Sequence, residues 1–337
     1  MATTARRSLQ HRPTAPGLAM EILDLRHFTS AELRGLLERE AELWARTLNW
    51  DYRASVEMIL RYLDARILPG FAAVDAGVIH GYSFFVYEGA KGVIGDLFVD
   101  DTFGEQRQLA TEQKLLTHVI ETLQSSPGVH RIEAQLLVHE AGDVAQPFLR
   151  EGFARHARLF MSLPLAGPQA STNGLAQREL PGIEVRRWSE QDFQSAAAVI
   201  TAAYRTHIDS EINDQYRTVP GSLRFLNNIV RFPGCGVFDA ESSLMAIDRA
   251  TRSAIGVILC SRVRDDVGHV TQVCVLPEHR GRGIGEALIA ASAADLQRRR
   301  FAALSLTVTE GNTRAVELYR RMGFDVRRVF DAFVWEG

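Results

Sequence analysis

The sequence predicts an α+β fold that is built twice along the chain, and three observations lead to this prediction. Strand-like and helix-like segments mix without the strict rhythm of a parallel α/β fold. A stretch at 166–182 is rich in Gly, Pro, Ser and Asn, as linkers are. The flanking residues follow one plan, because "LDLRHFTSAEL" (23–33) parallels "IEVRRWSEQDF" (183–193), and "AQPFLREGF" (145–153) parallels "AVELYRRMGF" (315–324). The nearly constant offset indicates a duplicated domain rather than a solenoid.

The repeat divides the chain into four expected regions. We expect a disordered tail at 1–19, a first domain at 20–165, a linker at 166–182 and a second domain at 183–337. The tail has no apolar block of the kind that a secretory signal requires. Each domain is expected to form a twisted mixed β-sheet flanked by helices.

Composition and charge exclude several classes of function. The chain has 337 residues, of which 46% are hydrophobic and 23% charged. Its net charge of −3 argues against binding to nucleic acid or to an anionic membrane surface, and no apolar stretch reaches the roughly 18 residues of a spanning helix. Three widely spaced cysteines suit a reducing compartment. We therefore expect a cytoplasmic monomer or homodimer.

The elements of the second half follow from local signals. An alternating strand is followed by Ser189, which can cap a helix, and the last helix ends at Gly323 followed by Phe324, a C-cap signature. In chain order we expect a strand at 183–187, helices at 190–204 and 222–228, strands at 244–248, 253–262 and 268–276, a helix at 284–299, a strand at 304–310, a helix at 313–322 and a final strand at "AFVW".

The stretch "PEHRGRGIGEAL" (277–288) places three glycines where a helix should begin, although glycine is a poor helix former. A helix N-terminus has unpaired N–H groups and a partial positive charge, and glycine lets a ligand approach them closely. The stretch therefore predicts an anion site, best suited to phosphate or pyrophosphate. It is not a P-loop, because it has no lysine, and Glu286 occupies the third glycine position of a dinucleotide fingerprint.

The remaining pattern, Arg-x-x-Gly-x-Gly at 280–285, belongs to a larger ordered set. Strand "VCV", then "RGRGIG", strand "LSLTVTEGN" and helix "AVELYRRMGF" together resemble the GNAT superfamily of acyl-CoA-dependent N-acyltransferases, tightly over 268–324. The resemblance implies acetyl-CoA or another acyl-CoA as co-substrate, of which we expect acetyl-CoA, and a small-molecule or protein amine as acceptor. It also implies direct transfer in a ternary complex, without a covalent enzyme intermediate.

The resemblance also implies where the co-substrate binds. Its pyrophosphate would lie on the main-chain N–H groups of 281–286, and its pantetheine arm would pair with the strand edge at 273–275 like an added strand. Asn312 would hydrogen-bond it, although an N-cap of the following helix is the alternative role. The implied cofactor-binding residues are Val273, Cys274, Val275, Arg280, Gly281, Arg282, Gly283, Ile284, Gly285, Glu286 and Asn312.

Attack by an amine requires three aids. An amine of pKa near 10.4 is neutral in only about one molecule in a thousand at pH 7.4, so its proton must be removed. The exposed N–H of Val275 is the natural donor to the oxyanion. Tyr319 matches the tyrosine that family members often use as general acid, and its alternative role is a packed aromatic on an amphipathic helix.

The general base is less clearly marked. One family position for a glutamate holds Thr307 here, which cannot serve, and the other holds His269. Histidine titrates near neutral pH and is chemically fit. We expect its side chain to point the same way as those of Thr271 and Val273. The alternative is a histidine that only hydrogen-bonds a loop.

The acceptor is expected to meet the stretch at 204–217. His207, Asp209 and Glu211, together with Asp214, would make an acidic wall that suits a cationic amine. A solvated helix and loop is the alternative interpretation. His207 and Glu211 are four residues apart, but without a second such pair we expect no metal.

The first half is expected to have lost its site. Its corresponding loop keeps only Gly104, and Phe148 occupies the place of Tyr319. The loop offers acids that would repel a pyrophosphate, namely Asp100, Asp101 and Glu105. The first half thus resembles a degenerate GNAT domain that packs on the catalytic half and shapes its acceptor channel.

Two other interpretations stay open at this point. A non-catalytic acyl-CoA-binding sensor or interaction module would keep 280–285 but would need neither Tyr319 nor His269. An antibiotic-modifying enzyme would differ only in its acceptor. Cys274 in the cofactor strand is a poor nucleophile, because no activating partner is evident.

Overall fold

A computed structural model describes residues 20–166, 180–231 and 234–337 of the chain. The tail predicted at 1–19 lies outside the described residues, as does most of the linker predicted at 166–182. Within the described parts, no helix has both the length and the apolar character that crossing a bilayer demands.

The first half is a β-sheet covered by helices. Its first long helix begins at a capping box, in which Thr29 and Glu32 satisfy each other's main-chain N–H groups. The elements are β1 (Glu21–Asp24), α1 (Ser30–Leu48), α2 (Arg53–Asp64), β2 (Gly70–Asp75), β3 (Val78–Glu88), β4 (Lys91–Val99), α3 (Glu105–Gln124), β5 (Arg131–Gln135), α4 (Ala145–Arg150) and β6 (Ala154–Pro164).

The second half repeats this order, and the strands expected at 183–187 and 244–248 are found at those bounds. The last strand begins at Asp325, well before the expected "AFVW", and a short helix at Asp209–Ile212 was not expected. The elements are β7 (Ile183–Arg187), α5 (Phe193–Tyr204), α6 (Asp209–Ile212), α7 (Val219–Arg231), β8 (Val237–Phe238), β9 (Leu244–Asp248), β10 (Ala254–Arg264), β11 (Val267–Val275), α8 (Ile284–Arg298), β12 (Ala303–Thr309), α9 (Thr313–Arg321) and β13 (Asp325–Glu336).

The thirteen strands of the described residues belong to one mixed sheet, and the two halves exchange their final strands. The order is β1-β2-β3-β4-β5-β13-β6-β12-β11-β10-β9-β7, with β8 beside β10. The last strand of the second half therefore lies between two strands of the first, while β6 pairs with β12. The predicted α+β class with two tandem units is confirmed, and the exchange joins their sheets into one.

The sheet forks between its two parallel neighbours in the second half. Strands β11 and β12 pair only from Val267 to Val270 on one side and from Ala303 to Leu306 on the other. The β10–β11 ladder has a register shift at the same level, where Thr271 is the extra residue. A bulge of this kind bends and twists a strand. The fork therefore opens beyond Val270.

Helices cover both faces of the forked region. On one face α8 and α9 pack on residues of β11 and β12, with Leu288, Leu296 and Leu306 buried in one cluster. On the other face α5 packs on the sheet around Met245 and Cys274. The fork is therefore enclosed on both sides by apolar layers and opens at the ends of its strands.

A buried pair of carboxyl groups lies in the core of the first half. Glu40 is 0% and Asp96 3% exposed. The hydroxyl of Tyr82 donates to Glu40 at 2.6 Å, and that of Tyr52 donates to Asp96 at 2.6 Å. Burial, and then the charge and hydrogen bond of Asp96, hold the pKa of Glu40 well above its ordinary value. This environment favours the neutral, protonated form of Glu40 in the folded protein.

This burial predicts a pH-dependent effect of replacing Glu40 by Gln. A carboxyl whose folded-state pKa is raised stabilises the fold below its unfolded pKa, near 4.5, and that contribution is lost as pH rises toward the folded pKa. Glutamine carries no such proton. The unfolding free energy of Glu40→Gln, relative to the native chain, should therefore improve steadily between pH 5 and pH 8 in urea titrations.

The matched control is Glu38→Gln, which removes an exposed carboxyl from the same helix. Its difference from the native chain should show no comparable improvement with pH. A difference for Glu40→Gln that is constant across this range would contradict the raised pKa.

Candidate active site

A cavity of about 1100 Å³ lies at the fork, and both halves of the chain line it. The first half contributes Trp50, Gln135, Leu137 and Arg158. Every predicted site residue except Glu211 and Asp214 lines this cavity: His207, Asp209, His269, Val273, Cys274, Val275, Arg280, Gly281, Arg282, Gly283, Ile284, Gly285, Glu286, Asn312 and Tyr319. The fold thus brings together residues that lie up to 112 positions apart, from His207 to Tyr319.

The main chain of β11 offers polar groups to the fork. The N–H of Leu276 donates to Ile255 on β10 at 2.9 Å. Because N–H groups alternate along a strand, the N–H of Val275 faces the fork instead. The carbonyl of Val275 accepts from Nε of Arg280 at 3.2 Å, which confirms that this residue's polar groups lie on the fork side. An extended ligand can therefore pair with this edge.

The glycine-rich loop forms the N-terminal end of α8. Gly281 and Gly283 have φ angles of 78° and 80°, in the left-handed region that favours glycine. Gly283 is the N-cap of α8, and no side chain caps its first N–H groups. These N–H groups are thus available to an anion.

Arginine side chains surround this helix end. Arg280, Arg282 and Arg314 all line the cavity, and none of them forms an ion pair with another described residue. Nη2 of Arg314 lies 3.6 Å from the place that a Cβ on Gly281 would take. Sequence reasoning missed Arg314 and Arg321, although their spacing of seven residues places both on one face of α9. The loop is therefore more strongly cationic than predicted.

Asn312 is the N-cap of α9, the role that the sequence offered as the alternative to a contact with the co-substrate. Its Oδ1 accepts from the N–H of Ala315 at 3.4 Å, as an N-cap does. Its Nδ2 lies 3.2 Å from Nε2 of His207. The amide thus joins α9 to the acceptor-side loop, and its contact with the co-substrate stays a prediction.

Tyr319 lies on the cavity wall and is 8% exposed. Burial, and then the charges of Asp209 and Cys274, raise its pKa, so the phenol is protonated at neutral pH. Its ring also packs 5.8 Å from that of Phe324. A protonated phenol in this position can act as a general acid.

His269 does not point as expected. The bulge at Thr271 reverses the alternation, so that Val270 and Val273 pack on the same cluster while His269 faces the opposite side. There it lies against the rings of Trp50 and Phe160, at centroid distances of 5.0 and 5.8 Å. The expectation that it shares a direction with Val273 is therefore wrong.

The surroundings of His269 also weaken it as a base. Its Nδ1 lies 2.9 Å from Oγ of Ser305. Burial, and then the charge of Arg158, lower its pKa to about 3. An imidazole with such a pKa is neutral at pH 7 but takes up a proton only at great cost. The predicted base role stays a prediction, and this environment counts against it.

Two of the four predicted acceptor-side residues reach the cavity. Oδ1 of Asp209 accepts a hydrogen bond from the hydroxyl of Thr309, and a carboxylate oxygen of Asp209 lies 3.6 Å from Nδ1 of His207. Burial lowers the pKa of His207, so its imidazole is neutral at pH 7. Asp209 therefore supplies the negative charge on this wall.

The other two residues lie elsewhere, and the expected four-residue acidic wall is corrected to this extent. Glu211 is exposed, and its carbonyl accepts from Arg131 of the first half. Asp214 pairs with Lys91 at 2.7 Å, also in the first half. Both are used to join the two halves. Among the described residues, no group of three or more His, Cys, Asp or Glu side chains is arranged to hold a metal ion.

Cys274 is buried beneath the fork at 8% exposure. Burial raises the pKa of its thiol to about 12, against a small opposing effect of Arg280. The reactive thiolate is therefore almost absent at neutral pH. This agrees with transfer that does not pass through an enzyme thioester.

The first half lacks the corresponding features. Phe148, at the place of Tyr319, is 0% exposed and stacks on Phe333 with centroids 4.0 Å apart. Asp100 in the corresponding loop pairs with Arg39 at 2.7 Å. A buried aromatic pair thus occupies the place of the general acid. An ion-paired aspartate occupies the place of the anion-binding loop.

The forked sheet and the cationic glycine loop at the end of β11 are the features of an acyltransferase fold. A model of the acetyltransferase (GNAT) family matches residues 209–324. Mycothiol acetyltransferase of Frankia alni is 30% identical over 239 residues, which cover 68% of each chain. The chain therefore belongs to the GNAT acetyltransferase family.

Other similarities are narrower or more distant. Mycothiol acetyltransferase of Mycolicibacterium gilvum is 35% identical over 94 residues, which span only 31% of that protein. The GCN5-related N-acetyltransferase of Sphaerobacter thermophilus has a TM-score of 0.65 at 17% identity, covering 94% of this chain and 95% of that one. A tandem GNAT protein from the clavulanic acid biosynthesis pathway has a TM-score of 0.58 at 14% identity, covering 94% and 98%. At these identities the two structures show the fold alone.

The buried state of His269 predicts that its imidazole does not titrate near neutral pH. A lowered folded-state pKa means that the unfolded chain takes up the proton first, so this residue costs stability as pH falls below 6.5. The Cε1–H resonance of His269, assigned with His269→Asn, should stay at its neutral position from pH 8 down to pH 5. Exposed His118 is the internal control. A midpoint for His269 near 6.5 would contradict the burial.

Proposed function

We propose that the protein transfers an acetyl group from acetyl-CoA to a primary amine by direct attack in a ternary complex. The observation that carries this proposal is the convergence at one cavity of an open strand edge, a cationic helix end and a buried, protonated tyrosine. The family to which the chain belongs, and relatives named mycothiol acetyltransferase, support the same reaction class.

The cavity fits the two ends of acetyl-CoA separately. The diphosphate needs unpaired N–H donors and positive charge, which the start of α8 and the arginines Arg280, Arg282 and Arg314 supply. The amide-bearing arm needs a strand edge, which Val273 and Val275 present. At present their carbonyls accept from the side chains of Tyr204 and Arg280, at 3.4 and 3.2 Å. A ligand pairing with β11 would take over these contacts.

The reaction then follows from the positions of three groups. An acceptor ammonium is attracted to Asp209, which carries the charge on the acceptor side. The ammonium first loses one proton to solvent, because only the neutral amine has the lone pair that attacks. As this amine attacks the thioester carbonyl its nitrogen becomes more acidic, and the carboxylate of Asp209 can receive the second proton. The N–H of Val275 donates to the developing oxyanion, a contact of the kind whose removal costs about 10²–10³ in rate. Tyr319 protonates the departing thiolate.

This assignment gives Asp209 the part that sequence reasoning gave to His269. The charge of Asp209 contributes to the raised pKa of Tyr319, so its carboxylate lies near the acid of the reaction. His269 is neutral and packed between aromatic rings. We therefore assign Asp209 as the group that accepts the proton of the amine. His269 is assigned only a packing role in the cavity wall.

Replacing Gly283 by Glu should weaken binding of coenzyme A at least about tenfold. The side chain would strain a residue at φ 80° and place a negative charge at the helix end, where a charge–dipole contact is worth up to about 2 kcal/mol. Calorimetric titration of the purified variant with coenzyme A measures the loss.

The matched control is Gly77→Glu, because Gly77 also has φ 80° and an added Cβ there meets nothing within 4 Å. It lies in the turn between β2 and β3, away from the cavity. This variant shares the strain and the charge and should bind coenzyme A like the native chain. Equal binding by both variants, or no uptake by the native chain, would refute the co-substrate assignment.

Replacing Tyr319 by Phe should lower turnover by about 10²–10⁴ while leaving coenzyme A binding intact, because only the transferable proton is removed. Release of free thiol from acetyl-CoA, followed across a panel of primary amines, measures turnover. Tyr87→Phe, which alters a half-exposed tyrosine of the first half, should be without effect. If the native chain binds acetyl-CoA but releases no thiol with any amine of the panel, the result would favour a non-catalytic sensor instead.

A further inference from the structure

Arg158 brings an arginine from the first half into the cavity of the second. It lies on β6, which the strand exchange places directly beside β12. Phe160, two residues along the same strand, stacks near His269. Arg158 therefore lies on the same side of the sheet as His269, which is the acceptor side rather than the side of the glycine loop.

The guanidinium of Arg158 is incompletely satisfied. Its Nε is buried without a hydrogen-bond partner, and its Nη2 reaches Oγ1 of Thr307 at a long 3.4 Å. It forms no ion pair with any residue that the structure describes. A buried charged donor without a partner is costly. Such a group is expected where a ligand completes the site.

The separation between Arg158 and Asp209 along β12 sets the length of substrate that can contact both groups. In the β6–β12 ladder Arg158 is directly opposite Thr309, whose hydroxyl donates to Asp209. Arg158 itself reaches Thr307, two residues away on the same face and thus about 6.6 Å along the strand. A positive and a negative group therefore bracket this short stretch of β12.

No carboxylate of the described residues pairs with Arg158, and the titratable rings beside it are neutral. The pKa of His269 is lowered to about 3 by burial, so that ring is neutral. Burial also raises the pKa of Tyr216, which keeps its phenol protonated. The wall beyond Arg158 consists of Trp50, Gln135 and Leu137 of the first half, none of them charged.

We propose that the acceptor is a carboxylate-bearing amine, such as an amino acid or a short peptide, whose carboxylate is bound by Arg158 while its amine lies at Asp209. The planar guanidinium matches a carboxylate bidentately through Nε and one Nη. The substrate spans the interval between the two groups, with its side chain against Trp50 and Leu137. This inference rests on the proposed function, because it names the substrate class of that same cavity.

Matched ligand triples test the proposal. Each triple contains an L-amino acid, its carboxamide and the corresponding decarboxylated amine, for a small, an aromatic and a basic side chain. Their N-acetyl forms are titrated calorimetrically into protein saturated with coenzyme A, and the free amines are assayed by thiol release. In at least one triple the carboxylate should exceed its amide about 10- to 100-fold in affinity and in kcat/KM, as a charge-assisted hydrogen bond allows.

Variants then assign the preference to Arg158. Arg158→Met should reduce the carboxylate-over-amide ratio to about one, and Arg158→Lys should retain part of it, because lysine keeps the charge but not the fork. Arg262→Met removes an exposed arginine of β10 that does not line the cavity, and it should keep the native ratio. Melting curves and coenzyme A titrations of every variant establish that the fold and the co-substrate site persist.

The outcomes separate this inference from the proposed function. Coenzyme A uptake with thiol release but no carboxylate preference in any triple would overturn the role of Arg158 and leave the acetyl transfer standing. A preference that survives in Arg158→Met, or an aminophosphonate that outcompetes its carboxylate counterpart, would also overturn it. Absence of coenzyme A uptake by the native chain would instead remove the proposed function.

Discussion

The parting of β11 and β12 after four paired residues is the constraint on which the rest of the site depends. Buried main-chain N–H and C=O groups require partners, and the fork leaves those of Val273 and Val275 without a neighbouring strand. Two side chains, Tyr204 and Arg280, now reach their carbonyls. A ligand with its own amide groups can replace both. The bulge at Thr271 lies at the level where the two strands part. It also determines which side chains of β11 face α8 and α9 and which face the acceptor side.

Strand exchange gives the first half a part in the site although its own site is lost. Because β6 lies between β13 and β12, its side chains project toward the fork of the other half. Arg158 reaches the cavity in this way, Phe160 stacks on His269, and Trp50 lines the cavity from the segment between α1 and α2. Ion pairs such as Lys91 with Asp214 fix the acceptor-side loop to the first half. The first half thus contributes side chains and ion pairs to the site of the second half.

Local signals in the sequence were sufficient for most elements of the second half and for the glycine-rich loop before α8. The glycines of the loop and the caps at Ser189 and Asn312 act within a few residues, and the structure has them where they were expected. The direction of His269 could not be predicted, because one extra residue in β11 reverses the alternation and nothing in the strand's composition marks it. Arg158 was missed for a different reason. Its placement depends on β6 pairing with a strand about 150 residues later, which neither periodicity nor spacing reveals.

Charge within the cavity is arranged in three zones, and this arrangement ties donor and acceptor recognition to one sheet. Positive charge at the start of α8 lies on the helix side of β11, Asp209 lies on the acceptor side near Tyr319, and Arg158 lies farther along that side. The net charge of −3 conceals this pattern, since it averages over the whole surface. Under the proposed function, an anionic donor and a zwitterionic acceptor meet at the fork from opposite faces, each with its anionic group held by a cation remote from the reacting atoms. The diphosphate of the donor and the carboxylate of the acceptor then lie at opposite ends of the site, where their mutual repulsion is small. The forked sheet would thereby separate these two anionic groups while it keeps the thioester and the amine in contact.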